Sequence, residues 1–111
     1  MKSTFIRFLQ LKEVLTGQHV DAEIDLTCQK LLEVASLRHA QQKPLCVTDA
    51  MQLQHIASPA TLHRKLSTLL EHGYVTLDFE GKNRRTKFIH PTPKADRYFA
   101  ALGEVMTQSV S

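Results

Sequence analysis

The chain has 111 residues, 42% of them hydrophobic and 23% charged, with a formal net charge of +3. That is enough to bury one core and too little for two, so a single domain over 1–111 is expected and wholesale disorder is excluded. No apolar run is long enough to span a bilayer, and Arg7, Lys12 and Glu13 interrupt the N-terminal stretch in a way a secretory signal would not tolerate, so a cytoplasmic protein is expected.

Phe5, Phe8, Leu9, Leu11, Val14 and Leu15 recur at mixed three- and four-residue steps, which predicts a short amphipathic helix ending at Gly17. A polar break from Gln18 to Asp25 follows, so residues 1–24 read as an N-terminal helix and its connection. Leu26 to Ala40 is rich in helix formers, with Leu31, Leu32, Ala35 and Leu37 as an apolar stripe. Pro44 ends this second helix. Leu45 to Val47 predicts a brief strand, and Thr48 an N-cap for a short helix from Asp49 to Gln54, with a bend at His55 to Ala57.

Ser58-Pro59 is a strong helix start, because the serine oxygen accepts an orphan N–H and a first-turn proline has none to lose. The helix should run to about His72 and close at Gly73, with Leu62, Leu66, Leu69 and Leu70 turned inward. Val75, Leu77 and Phe79 alternate with polar residues, and Thr86 to His90 is a second β-type run, so a hairpin is expected over 75–91. Thr92-Pro93 repeats the start signal for a terminal helix over 92–111, whose apolar face carries Ala95, Tyr98, Phe99, Leu102, Val105 and Met106. The predicted class is mainly α with a small β-hairpin (α+β), in the element order of a winged helix-turn-helix with its core over 25–91.

The charge is uneven. Ser58 to Arg97 carries +4 and the rest of the chain −1. Lys82, Arg84, Arg85 and Lys87 crowd the hairpin tip with no acid among them, and their mutual repulsion favours a polyanion partner. If the four leucines of the Ser58 helix face inward, Arg64 lies almost opposite them, flanked by Ala60, Thr61, Ser67 and Thr68. Small side chains permit close approach to a duplex, and arginine can pair with a guanine edge in the major groove. Ser58 and Thr61 sit at the positive end of the helix, where phosphate is favoured, and His63 and Lys65 flank the exposed face. Lys94 and Arg97 are expected on the exposed side of the last helix.

The stretch from Ser58 to Val75, followed by Asn83 to Lys94, resembles the MarR family of bacterial transcription regulators over roughly Leu26 to Leu102. The resemblance implies a helix that enters the major groove, an arginine on the wing (here Arg84-Arg85) that reaches the minor groove, and terminal helices that form a dimer. For that interface Phe5, Phe8, Leu9, Tyr98, Phe99, Leu102 and Met106 are the candidates, with packing on their own domain as the alternative. The chain departs from the pattern at Asn83, where many members brace the wing arginine with an aspartate. It departs also at Lys65, commonly apolar, at Leu70, commonly polar, and in lacking a glycine before Ser58.

Cys28 and Cys46 have neither the number nor the spacing of a disulfide framework or zinc site and read as reduced, buried thiols. The six histidines never fall at the i, i+4 spacing of a helical metal pair. No phosphate loop, nucleophile elbow or carboxylate pair can be assigned. The expectation is a non-enzyme without metal or cofactor, binding double-stranded DNA as a homodimer. A small-molecule effector is allowed by the resemblance but supported by no residue. The alternative is a winged-helix module that docks on protein through its apolar terminal helices and binds DNA weakly or not at all.

Overall fold

A computed structural model describes residues 2–19 and 24–110. The elements are α1 (Lys2–His19), α2 (Leu26–Ala40), β1 (Leu45–Cys46), α3 (Val47–Ala50), α4 (Pro59–Glu71), β2 (Val75–Phe79), β3 (Lys87–Pro91) and α5 (Pro93–Val110). The three strands form one antiparallel sheet in the order β1-β3-β2.

α2 starts where Asp25 caps it, the carboxylate accepting the Cys28 N–H at 2.9 Å. Cys28, Leu31, Leu32 and Ala35 are fully buried, whereas Leu37, expected on that stripe, is exposed. The helix closes before Pro44 is reached: the Lys43 N–H returns to the Arg38 carbonyl across Gln42, which adopts a positive φ of 60°. α4 obeys its start and stop signals. The Ser58 hydroxyl accepts the Thr61 N–H with Pro59 in the first turn, and Gly73 at φ 76° lets the Tyr74 N–H reach back to the Leu69 carbonyl. Leu62, Leu66 and Leu69 are buried against α2, Leu70 is half-buried, and Tyr74 is drawn inside just beyond the glycine. An apolar residue following a left-handed cap commonly packs this way.

The short helix differs from its prediction. Cys46, not Thr48, is the N-cap, its sulfur accepting the Asp49 N–H at 3.4 Å, so α3 begins at Val47 and ends at Ala50. β3 sits at the centre of the sheet, and its Ile89 is fully buried between Leu45 of β1 and Leu77 of β2 in register.

The Thr92-Pro93-Lys94 run does more than start a helix. The Thr92 hydroxyl donates to the Gly73 carbonyl, the Thr92 N–H donates to the Tyr74 carbonyl, and the Lys94 ammonium donates to the His72 carbonyl at 2.8 Å while standing 4.5 Å from the Tyr74 ring centroid. A cation is favoured at that carbonyl-rich helix end. Lys94 is therefore half-buried at the exit of α4 and not on the outer side of α5 as expected; Arg97 is exposed.

α1 packs against α5 and continues through Gly17 to His19, beyond its predicted end. The side chains of Leu11, Val14 and Leu15, and residues 20–23 of the expected connection, lie outside the described residues. Among the described residues no helix is long and apolar enough to cross a membrane.

The two left-handed positions give opposite expectations. A Cβ at Gly73 would meet nothing within 4 Å, so Gly73→Ala should cost only the backbone strain of a positive φ, about 1 kcal/mol. Gln42→Gly relieves the same strain and should gain up to about 1 kcal/mol. Urea midpoints should move in opposite directions at unchanged slope; a shift of both in one direction would contradict the assignment.

Candidate nucleic-acid interface

Burial of three leucines fixes the rotation of α4 and leaves Ala60, His63, Arg64 and Ser67 exposed on its outer side, with Thr61 and Thr68 half-buried beside them. The first turns carry a chain of polar contacts. The Ser58 hydroxyl donates to Thr61 Oγ1 at 3.1 Å, and Arg64 Nη2 donates to the same oxygen at 3.3 Å. This lays the guanidinium along the helix surface and leaves its other N–H groups for a partner. Ser67 and Thr68 turn their hydroxyl hydrogens back to the carbonyls of His63 and Arg64. Their exposed atoms therefore act first as acceptors.

Lys65 behaves differently from its neighbours. Its ammonium lies 2.6 Å from Asp25 Oδ2, and the other oxygen of that carboxylate caps α2. Below it, the Cys28 thiol contacts the Lys65 carbonyl at 3.9 Å. The first turn of α2 thus holds both backbone and side chain of Lys65, which withdraws this cation from the outer face. The Asp25 carboxyl is held below its ordinary range, first by the Lys65 bond and then by the Cys28 N–H. Cys28 itself is pushed up to about 11 by burial, reinforced by the Asp25 charge, and so stays a thiol near neutral pH. Cys46 is only half-buried, so the expectation of two buried thiols holds for Cys28 alone.

The hairpin tip turns at Gly81, φ 57°, with the Asn83 N–H bonded to the Glu80 carbonyl. Asn83 Oδ1 accepts the Arg85 N–H at 2.9 Å. The asparagine therefore braces the backbone of the tip, where the resemblance would have an aspartate hold a guanidinium. Lys82, Arg84, Arg85 and Lys87 are all exposed, and no carboxylate among the described residues pairs with them. Arg84 and Lys87 approach the Phe79 ring, 5.7 and 5.8 Å from its centroid, so an aromatic face supports the cationic tip.

An open cleft of about 490 Å³ joins the two parts. His63, Ser67 and Leu70 of α4 form one wall, and Arg84, Arg85 and Lys87 of the hairpin the other; Leu66, Leu77 and Phe79 make an apolar floor, with Val47 and Thr48 at one end. Arg64 is the helical neighbour of both His63 and Ser67. The cations of the tip and the outer face of α4 therefore share one side of the molecule.

No family model matches the chain, and no curated protein does. Among solved structures it is similar to the transcriptional regulator Tm0710 from Thermotoga maritima, with a TM-score of 0.68 over 96% of this chain and 75% of that one at 18% identity. It is similar also to AbfR in a disulfide-formed state, with a TM-score of 0.59 over 92% of this chain and 64% of that one at 20% identity. The fold is a winged helix-turn-helix. This is the architecture that the resemblance to MarR-like regulators implied.

In this fold α4 is the long helix that follows the turn, and the β2–β3 hairpin is the wing. Of the side chains expected at a dimer interface, Tyr98 is spent on the chain's own core, and Phe99 and Leu102 pack against it. Burial raises the Tyr98 phenol above its usual range, with the charge of Glu33 adding to the effect. Phe8 is half-buried, while Phe5, Leu9 and Met106 remain exposed, joined by Ile6. The ion pair between Asp25 and Lys65 had no sequence signal beyond the capping position of Asp25, because its partners are 40 residues apart.

Replacing Asp25 by Asn keeps a capping oxygen and removes the charge, so the cost at pH 7 should be at most about 1 kcal/mol, as for a partly exposed pair. The folded carboxyl titrates below its unfolded value of 3.8. Its contribution is therefore complete above that value and is lost as pH falls through the folded pKa. The gap in unfolding midpoint between the native chain and Asp25→Asn should close in acid; a gap independent of pH would contradict the pairing.

Proposed function

We propose that the chain is a sequence-specific transcription regulator that binds double-stranded DNA in the MarR-like manner, with α4 in the major groove and the wing at the adjacent minor groove. The observation that carries this reading is the shared cleft: His63 and Ser67 of α4 face Arg84, Arg85 and Lys87 of the wing across it, beside the exposed Arg64. Arg64 reads base edges, with Ala60 and Ser67 allowing close approach. Ser58, Thr61, His63 and Thr68 position the helix on the backbone, and Lys82, Arg84, Arg85 and Lys87 grip the flanking phosphates and groove. Lys65 is left out of the contact set because Asp25 already holds its charge. The outward Phe5, Leu9 and Met106 support a two-fold dimer through α1 and α5, since apolar side chains of this size gain by association. The function needs no cofactor and no catalytic group, and belongs in the cytoplasm.

The test is fluorescence anisotropy over a salt series, using a duplex selected from a random pool and an unrelated duplex. Affinity for both should fall steeply with salt. Arg64→Ala should lose about 1–3 kcal/mol on the selected duplex and little on the unrelated one. Arg84→Ala and Arg85→Ala should weaken both duplexes and flatten the salt dependence by about one counterion each. Absence of binding at low salt would remove this reading in favour of a protein-docking module.

A further inference from the structure

Away from the cleft, His39 in the last turn of α2 meets His90 on β3. The two Nδ1 atoms are 3.4 Å apart, and the ring centroids are 5.5 Å apart with the ring planes crossed at 82°. His39 is exposed and His90 half-buried, so the pair opens to solvent. The DNA contact proposed above uses neither ring.

Facing nitrogens of two imidazoles need something between them. With no ion, one ring must carry its hydrogen on Nδ1 and the other accept it. With both hydrogens moved to Nε2, two lone pairs converge. Two nitrogens bound to one tetrahedral ion at ~2.0–2.1 Å stand ~3.3–3.4 Å from each other, which matches the 3.4 Å found here without movement of the backbone. The setting favours a cation a second time, because His39 lies at the carbonyl-bearing, partially negative end of α2.

We propose that His39 and His90 form a two-ligand site for a divalent transition-metal ion of the imidazole-seeking kind, Zn2+, Ni2+ or Cu2+. Among the described residues no third His, Cys, Asp or Glu completes a cluster with them, so water fills the remaining positions and the ion is exchangeable. The bound ion clips the C-terminal end of α2 to the central strand of the sheet, the strand that also forms one arm of the wing. Metal therefore couples the helical core to the wing. Sequence spacing could not have suggested the pair, since its members lie 51 residues apart on a helix and a strand.

Calorimetric titration of the full chain with ZnCl2, and separately with NiCl2, tests this without DNA, so its failure leaves the DNA reading untouched. One ion should bind per chain, with affinity reduced at least about ten-fold in both His39→Gln and His90→Gln and unchanged in His55→Gln. Imidazole nitrogen spectra of the native chain give a readout that does not depend on the variants folding: Nδ1 of His39 and of His90 should shift together as zinc is added. No binding, or undiminished binding in both variants, or Nδ1 signals that stay in place would each overturn the site.

Discussion

Burying Leu62, Leu66 and Leu69 against α2 decides how α4 is rotated, and the chemistry of its outer face follows from that rotation. Each of these side chains contributes roughly 1.5–3 kcal/mol when fully removed from water, far more than any exposed polar contact can oppose. The helix cannot turn to hide Arg64 or expose Leu69 without losing that burial. Both ends are pinned as well. Ser58 caps the first turn, and at the other end Gly73, Tyr74, Thr92 and Lys94 close around the last carbonyls.

The same packing separates the cations by role. Lys65 lies on the edge of α4 nearest the first turn of α2, and Asp25 is there to receive it. Arg64, one residue earlier, is turned away from α2 and keeps most of its donors free. On the side of α4 that faces the hairpin, Leu66 shares an apolar floor with Leu77 and Phe79 beside Leu70, and this floor draws the hairpin toward α4. The cationic tip is thereby carried to the outer side of the helix by apolar contacts, with Asn83 and Gly81 shaping the turn. Repulsion among the tip cations is tolerated because they remain solvated and two of them rest on an aromatic face.

What was legible in the sequence was local. The Ser58-Pro59 start, the Gly73 stop and the leucine spacing between them specify α4 by interactions within a few residues, and the hairpin is written in the alternation of Val75, Leu77 and Phe79. What was not legible depended on docking. Asp25 with Lys65, and His39 with His90, are brought together only when α2 finds its place. Lys94 read as a surface residue because its acceptor, the His72 carbonyl, belongs to the end of α4, three elements earlier. Tyr98 shared a stripe with Phe99 and Met106, and periodicity alone could not say which part of that stripe the chain's own core would take. Cys46 escaped notice as a cap because sulfur is a weak acceptor and Thr48 nearby is a better one by type.

The central claim is that the outer face of α4 and the basic tip of the hairpin meet one duplex together. The most direct test is a backbone amide chemical-shift titration of the labelled chain with a selected duplex. Signals of Ala60, Arg64 and Ser67 should move in step with those of Lys82 to Lys87, at one stoichiometry, while Lys30 and Glu33 on the exposed side of α2 stay in place. Movement of one group without the other, or changes confined to α1 and α5, would contradict it.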